Sequence, residues 1–146
     1  MENFRKIISY IFIFLFLFFA LPVYAEKIND FQAKIDIQKD GKIKVQEKIF
    51  YDFETASKHG IYREIPTVKT NKDGKNFRMD LNVASVVDEN NAPYNFSTSY
   101  IGSQDNLNIK IGEANIFVTG PHTYIINYEV GGAITYFSDH DELYWN

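Results

Sequence analysis

Two-residue alternation of apolar and polar positions dominates most of the chain, from Phe31 to its end. Phe31, Ala33, Ile35 and Ile37 alternate with Gln32, Lys34, Asp36 and Gln38. Ile43, Val45, Ile49 and Tyr51 alternate in the same way with Lys42, Lys44, Gln46 and Lys48. A period of two is that of a strand with one buried face. Between the two runs, Lys39-Asp40-Gly41 reads as a three-residue hairpin loop, whose last position is left-handed and therefore suits glycine. Across this loop the alternations agree: Asp36 falls opposite Lys44, Lys34 opposite Gln46 and Ile35 opposite Val45, with both isoleucines flanking the loop, Ile37 and Ile43, on the inner face.

Phe53 to Lys75 reads as irregular, broken by Pro66 and by a turn at Asn71 to Gly74. The alternation resumes at Phe77, Met79, Leu81 and Val83 and runs toward Val87. After a turn cluster at Asp88 to Pro93, Tyr94, Phe96, Thr98 and Tyr100 suggest the returning strand. Further short strands are expected at Leu107 to Ile111, Ile116 to Thr119, Tyr124 to Val130 and Ala133 to Phe137. No window carries a capped helical period. About seven or eight strands at this spacing predict an all-β chain, an antiparallel β-sandwich.

The first 25 residues follow a different rule. Arg5 and Lys6 form a basic start, Ile7 to Leu21 is almost wholly apolar, and Val23 and Ala25 place small residues at −3 and −1 of a cleavage site. The expectation is a helical signal peptide over 1–25, cut between Ala25 and Glu26, and an exported, extracytoplasmic domain over 26–146. The apolar run is shorter than the roughly 20 residues of a spanning helix, which favours a cleaved leader over a retained anchor. The end of the sequence, Leu143-Tyr144-Trp145-Asn146, is aromatic and has no turn signal, so the domain is expected to be C-terminally incomplete.

Composition narrows the chemistry. The chain has no cysteine, which excludes disulfides, lipoprotein attachment, thiolate metal sites and cysteine nucleophiles together. Its net charge of −4, with lysines dispersed, leaves no electrostatic footprint for nucleic acid. Thirteen Phe and ten Tyr, some of the former in the leader, supply a sheet interior that needs no staples.

Three local clusters could carry a site. His59-Gly60-Ile61-Tyr62-Arg63-Glu64-Ile65-Pro66 combines an imidazole, a guanidinium and a carboxylate. Arg63 could grip an anion in a bidentate way. The plainer reading is an architectural corner, with Ile61 and Ile65 inward, Tyr62 and Glu64 outward, and Arg63 on the inward side and therefore paired. The acidic segment Asp139 to Glu142 is the candidate partner. His122, at the start of a strand, reads as a hydrogen-bonded structural residue rather than a metal ligand, since no partner has ligand spacing. Asp139-His140-Asp141-Glu142 lacks the glycine and the alternating oxygens of a calcium loop and reads as a solvated loop before a buried Tyr144-Trp145. No catalytic, cofactor-binding or metal-ligating residue is assigned.

Four segments taken together, His59 to Pro66, Leu107 to Gly112, Thr119 to Val130 and Asp141 to Asn146, resemble the N-terminal extracytoplasmic domain of bacterial predicted membrane proteins that contain domain of unknown function 2207. The Asp40-Gly41 hairpin fits the same pattern. The resemblance implies a signal peptide, a β-rich domain outside the membrane, and then transmembrane helices with a low-complexity tail in full-length relatives. It implies no activity, substrate or catalytic residue. The functional expectation is a non-enzymatic binding, sensing or interaction module of a membrane-anchored cell-envelope protein, acting on an unknown protein or envelope ligand. The alternative is an envelope hydrolase or carbohydrate-active domain using His59, Glu64 or the region of Asp141.

Overall fold

A computed structural model describes residues 25–71, 73–103, 105–143 and 145, so the leader before Ala25, with its expected signal helix, lies outside the described residues. The first two alternating runs form a hairpin of β1 (Lys27–Ile37) and β2 (Ile43–Asp52). Its register is the one alternation requires: Asp36 opposite Lys44, Lys34 opposite Gln46, Ile35 opposite Val45 and Ile37 opposite Ile43. The backbone N–H of Gln38 donates to the Lys42 carbonyl at 2.8 Å, and Gly41 makes the turn with φ of 81°. Asp36 does not reach across to Lys44. Its carboxylate lies 3.5 Å from Lys34 on its own strand.

The segment after this hairpin is more regular than its punctuation suggests. It holds β3 (Gly60–Pro66) and β4 (Val68–Thr70). Gly60 and Pro66 mark the ends of β3 and do not interrupt it, and within it Ile61 and Ile65 are buried while Tyr62 and Glu64 face outward. The run expected from Phe77 to Val87 divides at Met79 into β5 (Asn76–Arg78) and β6 (Asp80–Val87), because the Met79 N–H donates to the Thr67 carbonyl at 2.7 Å. Next come β7 (Phe96–Ile101), β8 (Asn106–Gly112), β9 (Pro121–Gly131), β10 (Ile134–Tyr136) and β11 (Asp141–Leu143). Ile116 to Thr119 is not a strand: Val118 makes a single bridge to Lys58. Of the expected solvated loop Asp139 to Glu142, Asp141 and Glu142 instead belong to β11 and pair antiparallel with β10. Among the described residues the strand number therefore rises to eleven, through short ribbons and one strand hidden by its own end signals.

A four-stranded sheet in the order β1-β2-β9-β6 packs on a three-stranded sheet in the order β3-β8-β7, with β4-β5 and β10-β11 as two-stranded ribbons. This is the antiparallel sandwich. Ile43, Val45 and Ile49 of β2 and Tyr124, Ile126, Tyr128 and Val130 of β9 meet Ile61, Ile65, Leu107, Ile109 and Ile111 of the other sheet in one core. Each such isoleucine contributes about 1.5–3 kcal/mol by leaving water. β1 stands outside this cover. Ile35 and Ile37 lie on the inner face as expected but are not buried, at 36% and 62% exposure, because three strands cannot roof four.

Candidate functional site

The inward parity of β2 and β3 brings two charges into the core. Glu47, between Val45 and Ile49, is 2% exposed. Arg63 of β3 faces it, with Nε 2.7 Å from Oε2 and Nη2 2.7 Å from Oε1. The Tyr128 hydroxyl donates to Oε1 at 2.8 Å, and the Trp145 indole N–H reaches the Tyr128 oxygen at 3.4 Å. The remaining Arg63 nitrogen donates to the Glu64 carbonyl. A fork-to-fork pair of this kind satisfies both groups and makes their burial tolerable. The hydrogen bonds to Glu47 hold Arg63 charged, raising its pKa above the ordinary value, while burial pushes the Tyr128 phenol up. The inward cation thus finds its carboxylate in Glu47, not in Asp139 to Glu142. The alternation of β2 already placed Glu47 inward, and that signal was available in the sequence.

Arg63 leads to the open side of the sandwich. Its guanidinium lies 5.8 Å from the Phe31 ring of β1. On the same uncovered face Ile28, Phe31, Ile35 and Ile37 are all exposed, and all eleven residues of β1 are open to solvent. β1 is also an edge strand, so among the described residues one side of its backbone has no neighbour in the sheet.

The other predicted residues lie apart from this face. The His59 Nδ1 lies 3.0 Å from the Ile116 carbonyl, and its ring packs on Phe117 at 4.1 Å between centroids. Five residues of extended chain put His59 and Glu64 about 16 Å apart, so they do not converge as an acid–base pair. Tyr62 is 64% exposed on the outer face. His122 is a structural neighbour of Phe53 and Tyr124, its Nε2 3.2 Å from the Thr119 carbonyl. His140 bridges Asp139 and Glu142, and Glu142 with Trp145 walls a cleft of about 520 Å³ beside the β4–β5 ribbon. Among the described residues no group of three or more His, Asp or Glu could hold a metal.

A second, smaller cavity of about 180 Å³ opens at the end of the sandwich where β3 begins and β8 ends. His59, Tyr94 and Glu113 line it together with Tyr124, which is wholly buried. The Tyr124 hydroxyl has no hydrogen-bond partner among the described residues, and burial holds it well above the ordinary phenol pKa. Nothing in the isolated histidine or glutamate spacing announces this cavity.

Comparison with known proteins places the whole described domain. The sequence profile described as "Predicted membrane protein (DUF2207) N-terminal domain" matches residues 27–146. The chain belongs to the DUF2207 family. The family is one of predicted membrane proteins, and this domain of it has no assigned activity. A curated relative, "Uncharacterized protein YciQ" of Escherichia coli (strain K12), is 29% identical over 129 residues, which cover 86% of this chain and 20% of that protein. The chain thus spans about a fifth of the length of the relative it matches. No solved structure matches it. Among the described residues of this DUF2207 domain no helix is long and apolar enough to cross a membrane.

Proposed function

We propose that this domain is a non-enzymatic interaction module of a membrane-anchored protein, exported and working outside the membrane, and that its docking element is β1. The occupant is an extended segment of a protein partner, added as a further strand beside β1. One observation carries the reading: an eleven-residue edge strand is exposed along its whole length and presents Ile28, Phe31, Ile35 and Ile37 on the face where its neighbour β2 is buried. Natural sheets usually blunt such an edge with inward charges or cover it, and an apolar edge left open is suited to strand addition. The apolar stripe supplies pockets for alternate side chains and the free backbone edge supplies register. The leader at 1–25 supports export, and membership of a predicted membrane protein family supports anchorage.

The test is site-specific photocrosslinking from Ile35 in cells producing the full protein, combined with sequencing of the mature N-terminus. The expected result is one defined adduct, lost when Ile37→Lys is introduced beside the crosslinker with the melting temperature unchanged, on a protein that begins at Glu26. An adduct with a second copy of the chain would make the edge a dimer contact. The reading fails if Ile35 gives no adduct and the purified protein turns over a glycosidase, esterase or peptidase substrate in a manner lost on mutating His59 or Glu64.

A further inference from the structure

We propose that the segment added beside β1 is β1 of a second copy, so that two sandwiches share one continuous sheet, an arrangement that presupposes β1 as the docking edge. The backbone fixes how such a pair forms. The Gln38 N–H donates to the Lys42 carbonyl at 2.8 Å, and the Gln38 carbonyl accepts from the Gly41 N–H at 3.1 Å, so Gln38 turns both groups toward its own hairpin. Antiparallel pairs alternate, and the β1–β2 register runs unbroken from Asp30 to Ile37. Gln32, Lys34 and Asp36 therefore bond to β2, while Phe31, Ala33, Ile35 and Ile37 aim N–H and C=O at the free edge. A two-fold antiparallel pair matches these free-edge residues with one another, so its axis passes through a residue of β1.

Charge selects the axis. Through Ala33 it would set Asp30 against Asp36 of the second copy, and through Lys34 or Asp36 it would set a charge against its own equivalent; like charges directly opposite destabilise a strand pair. Through Phe31 or Gln32 it would run the ladder into the irregularity between Ile28 and Asp30. Through Ile37 it would pair β1 with the hairpin turn of the second copy. Through Ile35 every contact agrees. Lys34 meets Asp36 of the second copy on both sides of the axis, at positions outside the hydrogen-bonded pairs, where side chains stand closest. Their side chains are 71% and 57% exposed and lie 3.5 Å apart on one strand, free to swing across the junction. Gln32 meets Gln38 of the second copy. On the inner face Ile35 meets its own equivalent, and Ala33 leaves room for Ile37 of the second copy.

The experiment is sedimentation equilibrium of the purified protein and of two variants, Lys34→Asp and Asp36→Lys, alone and mixed, with photocrosslinking from Ile35 alongside. The parent is expected to form a reversible dimer. Either variant alone sets like charges against each other on both sides of the axis and should weaken that dimer by about tenfold or more, while circular dichroism shows it folded. Mixed in equal amounts, one copy carries two acids and the other two lysines at these positions, and a heterodimer should form at least as tightly as the parent dimer. The proposal is overturned if the parent stays monomeric, if either variant dimerises as the parent does, or if mixing restores nothing. A monomeric parent whose Ile35 adduct is a different protein rejects self-pairing and leaves strand addition at β1 standing. A monomeric parent that gives no adduct rejects both.

Discussion

Glu47 and Arg63 face each other across the two sheets, and both carboxylate oxygens lie 2.7 Å from guanidinium nitrogens. Removing either partner strands a charge in the core. Arg63→Ala should destabilise the domain by about 3–5 kcal/mol, measured by urea unfolding. Replacing both residues with methionine should recover most of that loss, since the desolvation cost disappears along with the pair. A single variant as stable as the parent would show that the pair contributes nothing to the fold.

Ile37 and Ile43 are cross-strand partners with opposite fates. Ile43 is fully buried and Ile37 is 62% exposed. Ile43→Ala should cost about 2–5 kcal/mol, whereas Ile37→Ala should stay within about 0.5 kcal/mol in the isolated protein. Equal losses in thermal unfolding would mean that β1 is covered in solution.

Gly60 and Gly112 are paired at the ends of β3 and β8, with φ of 128° and 119°. A Cβ on either would run into a backbone carbonyl, that of Ile111 for Gly60 and that of His59 for Gly112. Alanine at either position should cost at least about 1–3 kcal/mol from backbone strain alone, and should broaden the amide resonances lining the small cavity. Gly74 has a positive φ of 75° but open space around it, so Gly74→Ala should be the milder change.

His140 hydrogen-bonds Asp139 at 2.9 Å and approaches Glu142 at 3.3 Å, and these acceptors raise its pKa above the ordinary imidazole value. The folded state therefore holds the proton more tightly than the unfolded chain. The resulting stabilisation is complete below the ordinary pKa of about 6.5 and is lost as pH rises through the higher folded value. An NMR titration should place the His140 midpoint above that of an unstructured histidine, and Asp139→Asn should bring it down. A midpoint at or below the unstructured value would show that the contact with Asp139 does not persist in solution.

The local pattern of side chains determined a good deal by itself. Alternation with a period of two fixes which face of a strand each residue shares. For that reason the β1–β2 register, the inward positions of Ile61, Ile65 and Arg63, and the all-β sandwich are all legible from residue order alone. Glu47 was legible by the same parity, and its place between Val45 and Ile49 made it the inward acid nearest to hand.

Tertiary structure alone decided the rest, because burial belongs to the opposing sheet and not to the strand. Ile35 and Ile37 carry the same alternation as Ile43 and Val45, yet only the latter lie beneath β3-β8-β7. Arg63 needed a carboxylate, but whether Glu47 or Asp139 to Glu142 supplied it depended on which sheets stack. The meeting of His59, Tyr94, Glu113 and Tyr124 around one small cavity joins residues up to 65 positions apart in the numbering. No periodicity encodes such a meeting, since it arises where separate strands end at the same rim of the sandwich.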